Sequence, residues 1–250
     1  MPLSSYPHFK YSSYTMIGFS FSQINGLTWR SLPFGFALLS PPSKLPSRFK
    51  IDPSYFHRYK CLYVRWETHF DQLENSPWWH IIKDKASGFE LSDYSSNTRN
   101  QIRRALRHHY CLSVDRQYII DHCYDIYLRA SQSYSTFEST YSQSEFSRSI
   151  LSLPSSTEFW VAIDSKMGVP VGFCENYIEC STCFYNSAWF LPSALKNYVS
   201  YALFYDMNKH YLGDRGFRYV SDGARCLSHS TNIHNFLLTK FRFRKAYASS

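Results

Sequence analysis

The spacing of apolar and polar positions sorts this chain into segments of different period. Residues 1–28 scatter their aromatics without a sustained repeat and are expected to be a weakly structured lead-in. Trp29–Ser40 gives short apolar stretches of strand character, stopped by Pro41 and Pro42, and Cys61–Thr68 (CLYVRWET) alternates as a further strand. Over Ser92–His109 the period becomes helical. Ile102, Ala105, Leu106 and His109 fall on one stripe, and Ser95, Ser96 and Asn97 offer N-caps. Tyr110–Asp115 predicts a short strand. Gln117–Ala130 predicts a second helix, apolar at Ile120, Cys123, Tyr124, Tyr127 and Leu128. Ser131–Ser156 holds 11 serines and reads as a mobile connector around a short helix over Ser144–Leu151.

The C-terminal half has a regular order. Glu158–Ile163, Val169–Ile178 and Cys183–Leu191 predict three strands joined by turns at Asp164–Gly168 and Glu179–Thr182, so two antiparallel hairpins follow one another. Pro192 and Ser193 open a long helix that runs to about Gly213, where Arg215 and Gly216 end it. Phe217–Ser221 is a strand, Thr231–Lys240 a helix and Phe243–Ala248 a last strand. A hairpin meander followed by βαβ makes a mixed α/β fold: a predominantly antiparallel twisted sheet with helices on both faces.

Composition narrows the class. The chain has 250 residues, 44% of them apolar, with 20 Phe, 21 Tyr and 6 Trp, so a large aromatic core is within reach and disorder throughout is excluded. The formal charge of +8 favours polyanionic partners: nucleic acid, nucleotide phosphates or anionic lipid. The seven cysteines are an odd number in a long chain, which speaks against a disulfide scaffold. Neither a signal segment nor a run of about 18 apolar residues is present. The expectation is a reduced, cytoplasmic protein without a spanning helix, for which contact with a membrane surface stays open.

Three segments carry a resemblance. Leu91–Arg107 (LSDYSSNTRNQIRRALR), Asp222–Arg225 (DGAR) and His234–Arg244 (HNFLLTKFRFR) together are similar to the FemAB-like peptidyltransferase branch of the GNAT acyltransferases. The resemblance spans about Trp29–Tyr247, and residues 29–250 are expected to be one such domain. It implies an acyl- or aminoacyl-transferase that moves an activated acyl group to a small-molecule or peptide amine. The chain departs from the pattern in two places. Arg242 stands where the family's last motif has Gly. The Gly-rich loop that lets backbone N–H groups approach the pyrophosphate of coenzyme A is replaced by Phe190–Lys196 (FLPSALK). FemAB-like enzymes also lack that loop and take aminoacyl-tRNA. No tightly bound cofactor is therefore expected, and the acyl donor is either aminoacyl-tRNA or acyl-CoA.

The residues themselves suggest roles. Arg99, Arg103 and Arg107, spaced four apart with Arg104 beside them, share a helix face that suits phosphate or an RNA backbone, or is simply solvated. Asp222 follows a strand where a GNAT-like sheet splays apart and is a candidate general base, with Gly223 admitting substrate to the backbone; a turn cap is the plainer reading. Arg225 and Asn232 complete a substrate- or phosphate-binding set. Glu175, within an apolar strand, is the second carboxylate candidate: it either lines the cleft or faces water by alternation. Cys180, Cys183, Cys226 and His229 have zinc-like spacing, but strand geometry sets the two pairs roughly 25 Å apart, so no metal is expected. His108 and His109 read as a helix C-terminal pair, and Trp78 and Trp79 as core or lid packing rather than a base-stacking platform. A binder of nucleic acid or anionic glycan that has lost chemistry, and an acetyl-CoA-dependent N-acetyltransferase, are the alternative functions.

Overall fold

The computed structural model describes residues 13–16, 19–24, 27–32, 35–38, 62–66, 70–71, 78–133, 140–224 and 232–248. They form two sheets. The first contains β1 (Ser13–Met16), β2 (Phe19–Ile24), β3 (Leu27–Leu32), β4 (Gly35–Leu38) and β5 (Tyr63–Arg65) in that spatial order, with β4 and β5 parallel. Leu27, Trp29 and Leu38 are its buried centre. The stretch expected as a weakly structured lead-in therefore carries two strands and the start of a third. Their cue is the alternation of Phe19 and Phe21 with Ser20 and Ser22, too short to stand out from the scattered aromatics around it.

The second sheet is built from β6 (Trp79–Asp84), then α1 (Ser96–His108), β7 (His109–Val114), α2 (Arg116–His122), α3 (Tyr124–Ser133) and α4 (Gln143–Ser152). After these come β8 (Thr157–Asp164), β9 (Pro170–Glu179), β10 (Thr182–Phe190), α5 (Pro192–Leu195), α6 (Val199–Asn208), β11 (Tyr219–Ala224), α7 (Asn232–Lys240) and β12 (Arg244–Tyr247). The strand order is β12-β6-β11-β10-β9-β8-β7, and β10–β11 is the one parallel pair among its described strands. This is the mixed, mostly antiparallel sheet with a βαβ end that the pattern predicted. On one face α1, α6 and α7 bring Ile102, Ala105, Phe204, Met207 and Leu237 down on Ile81, Cys183 and Val220. On the other, α2, α3 and α4 bring Ile119, Ile126, Phe146 and Ile150 down on Phe159, Val161 and Phe173.

Local chemistry explains the helix starts. The Ser95 hydroxyl accepts from the Thr98 N–H at the head of α1, and Ser142 and Glu145 form a reciprocal capping box at the head of α4. Leu106, expected on the buried stripe of α1, is 37% exposed instead, while Thr98, Ile102 and Ala105 are the buried residues of that helix. The helix expected over 117–130 breaks at Cys123, whose N–H closes α2 on Ile119.

The long helix expected from Pro192 to Gly213 is also divided. Tyr198 takes a left-handed backbone (φ 63°) between α5 and α6, and its ring lies under the Arg104 guanidinium at 5.2 Å and edge-on to Tyr201. Past Asn208 the helix widens into a π-helical turn, Lys209–Asp214, that directs Tyr211 into the core.

Strand β6 went unforeseen and lies between β11 and β12. Covered on both faces, it has no clean alternation, and it holds a lysine that masks it further. Lys83 has no exposed surface. Its ammonium donates to the Phe241 carbonyl at 2.9 Å, just past the C-terminus of α7, and sits 5.3 Å over the Tyr94 ring. Burial, helped by the nearby Arg242, pushes its pKa down to about 8.

Arg242 itself has φ 58°, where a glycine is favoured after a helix; the Phe241 and Phe243 N–H groups both donate to the Leu237 carbonyl around this bend. Arg242→Gly is expected to exceed Arg242→Ala in stability by about 1 kcal/mol in urea denaturation, since both lose the bond from Nη1 to the Asp93 carbonyl and only Gly relaxes the backbone. Equal stabilities would mean that the bend carries no strain.

Candidate functional site

The parallel pairing of β10 with β11 covers only Thr182–Tyr219, Cys183–Val220 and Phe184–Ser221. Beyond that point the strands part. On one wall β10 bulges between Tyr185 and Ser187, leaving Asn186 as the extra residue. On the other, β11 loses register with β6 between Ser221 and Ala224, so Asp222 and Gly223 are unpaired on both sides. Gly223 has φ 81° and an open space where a side chain would stand, and its N–H donates to the Ser221 hydroxyl. The splay expected from the sequence is present, and Asp222 stands at its apex.

Alternation along β11 turns Asp222 to the same face as Val220, beneath α7. One carboxylate oxygen lies 3.3 Å from Nε2 of His234 on α7. The side chains are 10% and 13% exposed, and the imidazole rests edge-on against Trp79 with ring centres 5.9 Å apart. Burial pushes the Asp222 carboxyl well above the usual carboxylate range. In the sequence His234 stands only as the start of the closing motif; its signal is spatial, since α7 and β11 meet only in the fold.

Glu175 does not join this pair. It shares a strand parity with Phe173 and lies across from Phe159 on β8 and Ser187 on β10, so it faces the opposite side of the sheet. It is wholly buried, which rules out the water-facing alternative. Burial pushes its carboxyl up to about 7; the Ser187 and Asn186 side chains beside it pull the other way, yet neither reaches hydrogen-bond geometry with its two oxygens.

Burial, with the Glu175 and Asp222 carboxyl groups adding to it, raises the Cys174 thiol well above the ordinary value, so it is held as a thiol. Its Sγ donates to Asn176, Asn176 donates to the Tyr211 hydroxyl, and Tyr211 donates to Glu158, which pairs with Arg215 at 2.6 Å.

The arginine face belongs to α1. Arg99 donates to the Tyr94 carbonyl at 2.7 Å. Arg103, Arg104 and Arg107 are exposed, and among the described residues no carboxylate pairs with them. The C-terminus of α1 runs into β7, four strands from β11, while its N-terminal end lies beside Tyr94, whose ring meets Phe241 just past α7. Asn232 opens α7 and is exposed. Arg225, Cys226 and His229 lie outside the described residues, so the phosphate role of the first and the four-ligand zinc arrangement have no structural counterpart to examine. Among the described residues no three His, Cys, Asp or Glu side chains gather to hold a metal, and Cys180 is exposed at the β9–β10 turn. No described helix is long and apolar enough to cross a membrane.

Three solved structures share this architecture. FemX matches with a TM-score of 0.59 at 8% identity, over 92% of this chain and 83% of its own. The C-terminal domain of a protein from Agrobacterium fabrum assigned as a lysylphosphatidylglycerol synthetase matches at 0.57 and 12%, over 89% and 78%. L-PGS from Bacillus licheniformis matches at 0.52 and 13%, over 89% and 78%. No protein-family model and no curated protein matches the sequence.

The raised Glu175 pKa makes a stability prediction. Unfolded, this carboxyl ionises near 4.5; folded, near 7. Between those values the unfolded chain holds fewer protons, so stability falls as pH rises through this window and is level above it. Glu175→Gln escapes the loss. Its stability relative to the parent should improve from pH 4.5 to pH 8 by roughly 3 kcal/mol at most, read by urea denaturation at each pH. A difference that does not change with pH would mean that Glu175 is not held neutral.

The strand order and the neighbours agree on the architecture: this chain has the fold of FemX and of the two lysylphosphatidylglycerol synthetase-type structures.

Proposed function

We propose that this protein is an acyl- or aminoacyl-transferase whose reaction takes place where β10 and β11 part, with an amine as acceptor and an activated ester or thioester as donor. The observation that carries the reading is Asp222: a buried carboxyl, unpaired by either neighbouring strand, beside open space at Gly223 and 3.3 Å from His234. An attacking amine must lose a proton as its nitrogen bonds to the carbonyl carbon. Asp222, whose raised pKa makes its carboxylate a stronger base than an exposed one, takes that proton, and His234 holds the carboxyl in place. Past Phe184, β10 has no described strand on its β11 side, so backbone N–H groups there are available to a developing oxyanion. Collapse of the tetrahedral intermediate expels the donor's alkoxide or thiolate, which takes up a proton.

The donor is proposed as either aminoacyl-tRNA or acyl-CoA. Helix α5 starts at Pro192 without a glycine or a side-chain cap, and the first turn's Ala194 N–H is already bonded to Leu191, which favours the former. The test is transfer of labelled acyl groups, from a mixed aminoacyl-tRNA pool and from acetyl-CoA, to primary-amine acceptors. Asp222→Asn should lower turnover at saturating substrate by about 10²–10⁴-fold with folding intact. Turnover at the parent rate across the pH profile would make Asp222 structural.

One separate observation favours polyanion binding through α1: the three exposed arginines have no carboxylate partner among the described residues. Replacing Arg103 and Arg107 by Gln should flatten the salt dependence of RNA binding by roughly 0.7–0.9 in log–log slope per lost phosphate contact. Stability should stay within about 0.5 kcal/mol. An unchanged slope would leave this face merely solvated.

A further inference from the structure

We propose that Glu175 and Ser187 form a binding subsite for a primary ammonium group, on the face of the sheet opposite Asp222. The two Glu175 oxygens, the Ser187 hydroxyl oxygen and the Asn186 amide nitrogen are all buried, and none has a hydrogen-bond partner. Glu175 and Ser187 stand directly across from each other on β9 and β10, and Asn186 is the bulged residue next to Ser187. A buried carboxyl with both oxygens idle is costly unless something arrives to use them.

The chemistry of the vacant partners identifies the ligand. Two carboxylate oxygens and a hydroxyl present three acceptors, the number that a primary ammonium's three N–H groups require, whereas the vacant Asn186 group is an N–H donor and takes no part in holding the cation. The carboxyl has no described cation facing it, so a bound ammonium would be its counter-charge. Aromatic rings complete the site: Phe159 and Phe173 flank Glu175, and Trp189, two residues past Ser187, meets Tyr127 of α3 edge-on at 5.0 Å. Rings beside a carboxylate suit an alkylammonium and disfavour an anion. Asn186 and Ser187 belong to residues that are only partly buried, so the subsite lies next to the surface of β10 along the splay.

The origin of the ammonium rests on the transferase reading: it belongs either to the amine acceptor or to the α-amino group of an aminoacyl donor. Binding alone needs no turnover, so the two readings fail separately. Calorimetric titration of the full chain with alanine methyl ester tests the donor, and with Nα-acetyl-lysine methylamide the acceptor. Each is paired with its N-acetylated counterpart, which has the same shape at that end without the charge.

One of the two probes is expected to bind, about tenfold or more tighter than its acetylated counterpart, and to weaken about tenfold in Glu175→Gln. Ser187→Ala, which leaves the carboxyl in place, should weaken it about threefold and decides the matter if the Gln variant does not fold. Binding of the alanine ester assigns the subsite to the donor, and binding of the lysine derivative to the acceptor. No binding of either probe at about 20 mM, or equal binding by charged and acetylated forms, overturns the proposal. So does affinity unchanged by both variants. A chain that binds a probe but transfers nothing keeps the subsite and loses the reaction.

Discussion

Three residue pairs of parallel sheet between β10 and β11 set the geometry of everything around them. Parallel pairing requires two strands to run at constant spacing, and each strand twists. When β10 bulges at Asn186 and β11 slips against β6 after Ser221, the two can no longer be kept in step. The result is a gap in the middle of a sheet, which a globular core normally closes. Here it is bounded by a carboxyl on one wall and a bulged polar segment on the other. The helix that links the strands, α6, buries eight of its ten residues and packs into the core on one face of the sheet.

A gap of this kind weakens the sheet where it opens, and a set of buried polar contacts ties the surrounding strands together. Tyr211 is the centre: it receives hydrogen bonds from Trp160 on β8 and Asn176 on β9 and donates to Glu158. Arg215 completes the chain at the surface, its guanidinium lying 4.4 Å from the Phe217 ring centre. On the far side Lys83 links β6 to the end of α7, so the helix that carries His234 is fastened at its C-terminus by a buried ammonium. In a low-dielectric interior such satisfied groups fix one arrangement, because any other leaves a donor or acceptor without a partner.

How much of this could be read beforehand depended on whether the cue was local. Ser95 ahead of the Ile102 and Ala105 spacing announced α1, and the turns at Asp164–Gly168 and Glu179–Thr182 announced the meander β8–β10. Strand β6 had no such cue, since burial on both faces erases alternation and Lys83 resembles a surface residue in one dimension. Tyr198 broke a helix without a glycine or proline to mark it; its ring contacts with Arg104 and Tyr201 come from distant and neighbouring turns that a sequence does not join. Asp222 was legible because it follows an apolar strand segment and precedes a glycine. His234 was not, because its only claim is proximity. Glu175 was legible as a residue out of place among apolar neighbours, but not the face it takes, which depends on counting through the strand from a known register.

The π-helical turn at Lys209–Asp214 gives the polar network a dependence on chain length. A π turn holds one residue more than an α turn spanning the same rise. Each residue of an α-helix advances the side chain by about 100°. Deleting one residue between Asn208 and Tyr211 would restore regular winding and carry Tyr211 about an eighth of a turn, and one residue's rise, away from Trp160, Asn176 and Glu158. The strand pairing could persist, but its central knot would be undone. The wide turn thus acts as a spacer one residue long, and the length of this segment is constrained more tightly than its composition.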